Sequence, residues 1–311
     1  MTPAPQGFAS LSAEAACAAL RASGLVLEPA DLQVARRDER WAIALPGNRM
    51  AWFAASAAGQ ERLAAERRVL RLLARRCTFQ VPHVVYEDPA GFDVREIVVG
   101  ECDPWALYAQ IKTDPALARR IGRSLGAILV EQHARVSHVD VAGWLREQVE
   151  WPCSKAWIRE RIADVIDDPP LIAAIDHLLD RYEGVAVDPD DRVLVHTDLG
   201  LHNLAVDPQT KEVRGVFDYD GAAWADRHHD LRYLALSIPH EPVLDAALTI
   251  YEPALGRRID RQRVWLYNAA CAASFLAFRH GVPADERWCG RTLAEDLTWL
   301  RDALSQAQMS P

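Results

Sequence analysis

The spacing of hydrophobic and polar positions changes character along this 311-residue chain. In AAGQERLAAERRVLRLLARR, residues 57–76, Leu63, Leu70 and Leu73 recur at helical intervals and predict a long amphipathic helix. Glu66 falls on the same stripe, so its carboxylate needs a partner or a place at the edge of the buried face. Around this helix the runs are short and strand-like. LQVARR, then RWAIAL (40–45) and RMAWFAA (49–55) joined by Pro46-Gly47-Asn48, form a meander. VPHVVYED and FDVREIVVG, parted by Pro89-Ala90-Gly91, complete five antiparallel strands. A Ser-capped helix over 11–23 precedes them.

From Pro104 onward the texture is helical, with helices predicted over 115–136, 140–151, 153–166, 170–184, 241–253, 259–280 and 291–308. One interruption, VLVHTD, NLAV and VRGVFDYD, reads as short strands around a turn at 207–210. The expected architecture is α+β and two-lobed. A sheet lobe with one main helix covers residues 1–102, and a larger helical lobe covers 103–311.

Composition narrows the function classes. Half the residues are hydrophobic and a quarter charged, as in soluble globular proteins. MTPAPQGFAS has neither a basic start nor an apolar run, and nowhere do about 18 uncharged apolar residues follow one another. The reading is cytoplasmic, with no membrane partner. Six scattered cysteines, without metal-finger spacing, read as buried free thiols. The net charge of −9 is uneven: residues 1–149 carry +1 and residues 150–311 carry −10. That argues against nucleic acid and mildly favours a cationic small substrate, an acidic surface kept for solubility being the alternative.

The chemistry concentrates between His196 and Leu231, where seven acidic residues and four histidines surround a short hairpin. Asn203 begins one strand and Asp218 follows its partner, so the turn returns both to one end of the ribbon, with Asp198 on the loop feeding it. Such oxygen donors suit a hard cation such as Mg²⁺. Zinc held by His202, His228 and His229 with the aspartates is a weaker reading, because no Cys is in range.

HTDLGLHN, followed by GVFDYD, resembles the catalytic and metal-binding segments of the aminoglycoside phosphotransferase and choline kinase family, relatives of the protein kinases. WADRHHDLRYL is similar to that family's G-D-x-x-x-D-L run, and the likeness extends over most of the chain. It implies a protein-kinase-like fold and Mg²⁺-dependent transfer of the γ-phosphate of ATP or GTP to a hydroxyl of a small molecule. By the same resemblance Asp198 would orient or accept the hydroxyl proton, His196 would brace the loop, and Asn203 and Asp218 would hold Mg²⁺. Asp220 would reach a second metal, face the substrate or cap the next segment, and Asp226 and Asp230 would anchor helix and loop. The purine would sit at the linker around Ile97, Val98, Val99 and Glu101.

The sequence departs from the family at its phosphate site. The third strand, RMAWFAAS, lacks the expected Lys in its middle, although Glu66 is present to pair with it, and no glycine-rich loop precedes it. Arg49 at the strand start, or Arg36 or Arg37 from the first strand, would substitute; otherwise the protein is a catalytically silent nucleotide- or partner-binding module. Thr197 stands where the family most often has Gly, and Gly200-Leu201-His202 where His-Pro-Gly is common. Candidate acceptors range from aminoglycosides and other antibiotics to choline-like amines and sugars. Trp224, Tyr233, Trp265, Phe275 and Trp288 line a pocket or fill the core.

Overall fold

The computed structural model describes residues 8–235 and 242–308. The expected helix start at 241 lies outside them. By its contacts the chain divides into two compact units. One holds residues 1–103, 143–145 and 201–222, and the other the remainder.

The first unit is built on a five-stranded antiparallel sheet of order β1-β2-β3-β5-β4. Its strands are β1 (Val34–Arg37), β2 (Arg40–Leu45), β3 (Arg49–Ala54), β4 (His83–Asp88) and β5 (Phe92–Glu96). Alternation assigns the faces. Ile43, Leu45, Ala51, Phe53, Phe92 and Val94 point one way and pack with Ala16, Cys17 and Leu20 of α1 (Ala13–Leu20). Phe53 and Phe92 stack there with centroids 4.7 Å apart. The opposite face carries Arg40, Trp52, Asp93 and Arg95, toward α2 (Ala57–Arg76). Ser56 caps α2 by accepting the Gly59 N–H, and the predicted stripe of Leu63, Leu70 and Leu73 is buried.

A two-stranded ribbon, β7 (Leu204–Val206) and β8 (Val213–Val216), completes this unit. Sequence order places it with the helical lobe, but its backbone pairs elsewhere. Glu101 exchanges hydrogen bonds with Val206, and Gln80 donates to Arg214 and accepts from Val216. Gly215 permits that approach, since a Cβ there would lie 2.1 Å from the Gln80 carbonyl oxygen.

The second unit is mainly helical: α3 (Pro104–Thr113), α4 (Pro115–Arg135), α5 (His138–Val141), α6 (Lys155–Val165), α7 (Pro169–Glu183), α8 (His228–Leu234), α9 (Pro242–Leu255), α10 (Arg261–Ala277) and α11 (Leu293–Gln308). A strand pair, β6 (Arg192–Val195) and β9 (Ala223–Asp226), runs through it. Helix α3 is not among the elements that the sequence pattern predicts. The helix expected over 140–151 shrinks to α5, because Gly143 turns into the left-handed region at φ 76° and ends it. Of the thiols expected to be buried, Cys17 and Cys271 are, whereas Cys102 and Cys289 are exposed.

Candidate functional site

Glu66 is the centre of the first unit's charged face. It is 2% exposed and is gripped by two guanidiniums, Arg40 from β2 at 3.1 Å and Arg95 from β5 at 2.9 Å. Burial alone would push this carboxyl up; Arg95 and Arg40, with the Tyr219 backbone N–H, hold it below the ordinary range. Asp93, itself fully buried, takes Arg95 at 2.7 Å and Arg67 at 3.3 Å. Trp52 stands in the middle of β3, with Arg40 4.7 Å and Arg95 5.9 Å from its ring centroid.

Arg40 continues from Glu66 to Asp220 at 2.8 Å and Asp218 at 3.4 Å. Asp220 is pushed up to about 6, first by burial and then by the Asp218 and Glu66 charges, which Arg40 and Arg62 offset only in part. Asp218 adopts the left-handed region at φ 66°, a costly conformation for a residue with a Cβ. The Phe217 N–H donates to the Asn203 carbonyl at 3.1 Å, one step before the Leu204–Val216 pair, so the ribbon brings Asn203 and Asp218 to one end. At its other end Asp207 accepts the Gln209 and Thr210 N–H groups and faces Arg214, which keep its carboxyl down at about 2.

Other expected nucleotide residues stand apart. Arg49 pairs with Leu45 and Glu96 in the sheet register, at the opposite end of the β2–β3 hairpin from Arg40, and its guanidinium lies 3.9 Å from the Glu96 carboxylate. Arg36 lies over Trp41. In the linker, Val98 is buried while Ile97 and Val99 are exposed. The Ile97 N–H donates to Asn48 and the Glu101 N–H to Val206, so neither is left to read a purine edge.

The second unit organises the loop that follows β6. Asp230, fully buried on α8, accepts four hydrogen bonds: from the His196 and Thr197 N–H groups at 3.0 and 2.9 Å, Gln132 Nε2 at 3.0 Å and His133 Nε2 at 3.2 Å. Arg232 donates to the Thr197 carbonyl at 2.7 Å. These contacts fix Thr197 at φ 73°, an unusual conformation for a β-branched residue. His196 Nδ1 accepts the Asp198 N–H at 3.2 Å. The Asp198 carboxylate hydrogen-bonds the Tyr233 hydroxyl and faces the Arg232 charge.

Asp226 anchors the next elements, meeting His228 Nδ1 at 2.6 Å, the Tyr267 hydroxyl at 2.7 Å and Arg263 at 3.2 Å. Asp191, Asp226 and His228 offer ligand atoms within 4.8 Å of one another. Arg257 and Arg263 already pair with Asp191, and His228 Nε2 accepts the Asp260 N–H. This cluster is an ion-pair network, with His202 and His229 outside it.

A model of the phosphotransferase enzyme family matches residues 32–264. The chain belongs to this family. It is a phosphotransferase acting on hydroxyl groups. An aminoglycoside 3'-phosphotransferase of Streptomyces fradiae is 27% identical over 199 residues, spanning 60% of this chain and 71% of that protein. Among solved structures, the GDP complex of aminoglycoside 2'-phosphotransferase-IIIa superposes with a TM-score of 0.69 at 16% identity, covering 94% of this chain and 97% of that one. A macrolide 2'-phosphotransferase from Brachybacterium faecium gives 0.61 at 18% identity, covering 96% and 98%. Both share the kinase-like fold.

For this phosphotransferase, sequence reasoning missed Arg40 and Arg95. It sought a cation on β3, at Arg49, or on β1, at Arg36 or Arg37, yet the residues that meet Glu66 come from the two strands flanking β3. Their signal was the period-two pattern itself. In RWAIAL and FDVRE, Arg40 and Arg95 share the polar face with Trp52.

Proposed function

We propose that this phosphotransferase carries the γ-phosphate of ATP or GTP to a hydroxyl of a small molecule, with Arg40, backed by Arg95, in place of the family's third-strand Lys. The observation that supports this most is the buried triad Arg40–Glu66–Arg95. Two guanidiniums meet this carboxylate, Arg40 reaches on to Asp218 and Asp220, and a guanidinium grips phosphate oxygens bidentately. The missing Lys was the sequence argument for a silent module, and the guanidiniums on Glu66 support the active reading instead.

The Asn203 amide and the Asp218 carboxylate, oxygen donors at one ribbon end, fit Mg²⁺; Asp218 keeps 39% of its side chain open. When bound, the ion would neutralise charge on the phosphates. Asp198 receives the acceptor proton as the acceptor oxygen bonds to the γ-phosphorus. The bond to the bridging oxygen breaks, and the nucleoside diphosphate leaves with that electron pair. His196, by accepting the Asp198 N–H, holds the loop, and the Asp198 carboxylate would meet the acceptor beside the Tyr233 hydroxyl that it already hydrogen-bonds.

The test follows label from γ-³²P nucleotide into a panel of alcohols, alongside calorimetric binding of nucleoside triphosphate and of the bare nucleoside. Arg40→Met is expected to weaken the triphosphate about 10- to 100-fold, the worth of a hydrogen-bonded charge, and to leave the nucleoside unchanged. Arg49→Ala is expected to change neither. Equal losses for nucleoside and triphosphate would contradict the role given to Arg40, and no label on any alcohol would contradict the transfer.

A further inference from the structure

Asp198, Asn203 and Asp218 supply the base and the metal donors, which leaves Asp220 without a task. Its carboxylate nevertheless makes the shortest of Arg40's three carboxylate contacts, 2.8 Å from Nη2, against 3.1 Å from Nη1 to Glu66 and 3.4 Å from Nη2 to Asp218. Arg62 of α2 stands 3.7 Å from the same Asp220 oxygen. Arg62, Asp220, Arg40 and Glu66 thus form a row of alternating sign. Its two ends lie one turn apart on α2, and its middle reaches β2 and the turn over Tyr219–Gly221 that follows β8. Trp52 covers one face of the Arg40 guanidinium, with its ring centroid 4.7 Å away.

A second metal ion and a cap for the next segment are the other tasks open to a carboxylate here, and the surroundings disfavour both. Arg40 and Arg62 already bring positive charge to Asp220, and a divalent cation on the same oxygens would be repelled by both. Asp218 keeps 39% of its side chain open, against 21% for Asp220. Among the described residues no backbone N–H donates to the Asp220 carboxylate, so it caps nothing.

With Asp218 given to Mg²⁺, Arg40 would lose its longest carboxylate contact and keep the other two. Glu66 then holds Nη1 and Asp220 holds Nη2, and each of these nitrogens carries a second N–H for a phosphate oxygen. A guanidinium fixed at both ends gives up less freedom when a phosphate arrives than one tethered at a single nitrogen.

We propose that Asp220 is a positioning residue for the phosphate-binding cation: with Glu66 it clamps Arg40 from both ends, and it ligates no metal. This rests on the phosphotransferase reading and on the place of Arg40 within it.

The test is a double-mutant cycle of Asp220→Asn and Arg40→Met in the full chain, each variant checked for its melting temperature. Calorimetry titrates whichever of Mg²⁺–ATP and Mg²⁺–GTP the wild type binds, with the bare nucleoside as control, at about pH 8, where Asp220 is charged. Asp220→Asn keeps the shape of the side chain and drops its charge. It is expected to weaken the triphosphate about tenfold, the charged share of a hydrogen bond, and to leave the nucleoside unchanged. In the Arg40→Met background it is expected to weaken nothing further. Asp220→Glu is expected to restore most of the loss, and Mn²⁺ counted by electron paramagnetic resonance in the nucleotide complex should be equal in wild type and Asp220→Asn.

Fewer bound Mn²⁺ ions in Asp220→Asn would make Asp220 a metal ligand and overturn the inference. An equal loss with and without Arg40, or tighter triphosphate binding by Asp220→Asn, would overturn it too, the latter because Asp220 would then withhold Arg40 from phosphate. A lower melting temperature with unchanged nucleotide affinity would reduce Asp220 to a structural ion pair, and a change confined to the acceptor KM would place it on the acceptor; either contradicts the clamp. Label transfer to an alcohol without coupling in the cycle sinks this inference alone. Coupling without any label transfer sinks the reading of the reaction and leaves the clamp standing, and a wild type that binds no triphosphate overturns both.

Discussion

Asp198→Asn is expected to lower kcat by about 10²–10⁴-fold, the contribution of a positioned general base, while nucleotide affinity stays within a few-fold of wild type. The substitution keeps the shape of the side chain and removes its capacity to take a proton. The loop around it is held from elsewhere, by Asp230 on the His196 and Thr197 N–H groups and by Arg232 on the Thr197 carbonyl. The variant should therefore melt at nearly the wild-type temperature. Steady-state turnover and direct nucleotide titration check the two halves of this expectation. Turnover close to wild type would exclude Asp198 as the base, and a parallel loss of nucleotide binding would show that the change disturbed more than the chemistry.

Asp230→Ala is expected to destabilise the fold by about 3–5 kcal/mol, the cost of breaking a buried charge network. It leaves the His196 and Thr197 N–H groups, Gln132 and His133 without their common acceptor in a site that water does not reach. Chemical denaturation would measure the loss. Asp230→Asn should cost less, because one amide oxygen still accepts. The same residue contributes pH dependence. Burial would raise the Asp230 carboxyl, but hydrogen bonding and charge from His133, with His196, hold it below its ordinary value. A carboxyl depressed in the folded state stabilises above the unfolded pKa, near 4, and that contribution is lost as pH falls through the folded value. Wild type is expected to lose melting temperature below pH 4 more steeply than Asp230→Asn; parallel curves would contradict the assignment.

The general architecture was legible because local pattern and burial agree. The α2 stripe, the alternation in β2, β3 and β5 and the hairpin turn each need only neighbouring residues to be read. The ribbon that returns Asn203 and Asp218 to one end was legible for the same reason. What failed depended on contacts remote in sequence. The β7–β8 ribbon follows the helical stretch in the chain, yet its backbone partners are Gln80 and Glu101. The cation for Glu66 sits 26 residues before it on β2, and a second reaches it from β5, whereas the sequence reading offered Arg49 on β3 and Arg36 or Arg37 on β1.

The central claim, a Mg²⁺–nucleotide site built on Asp218 and served by Arg40, is tested most directly by thermal denaturation with ATP and with GTP, each with and without Mg²⁺, on wild type and Asp218→Asn. Ligand at a hundred times its Kd adds about 2.7 kcal/mol, which raises the melting temperature of a chain of this size by several degrees. A Mg²⁺-dependent rise with at least one nucleotide in wild type, lost in Asp218→Asn, is the predicted result. No rise with either nucleotide, or a rise that Asp218→Asn retains in full, would contradict it.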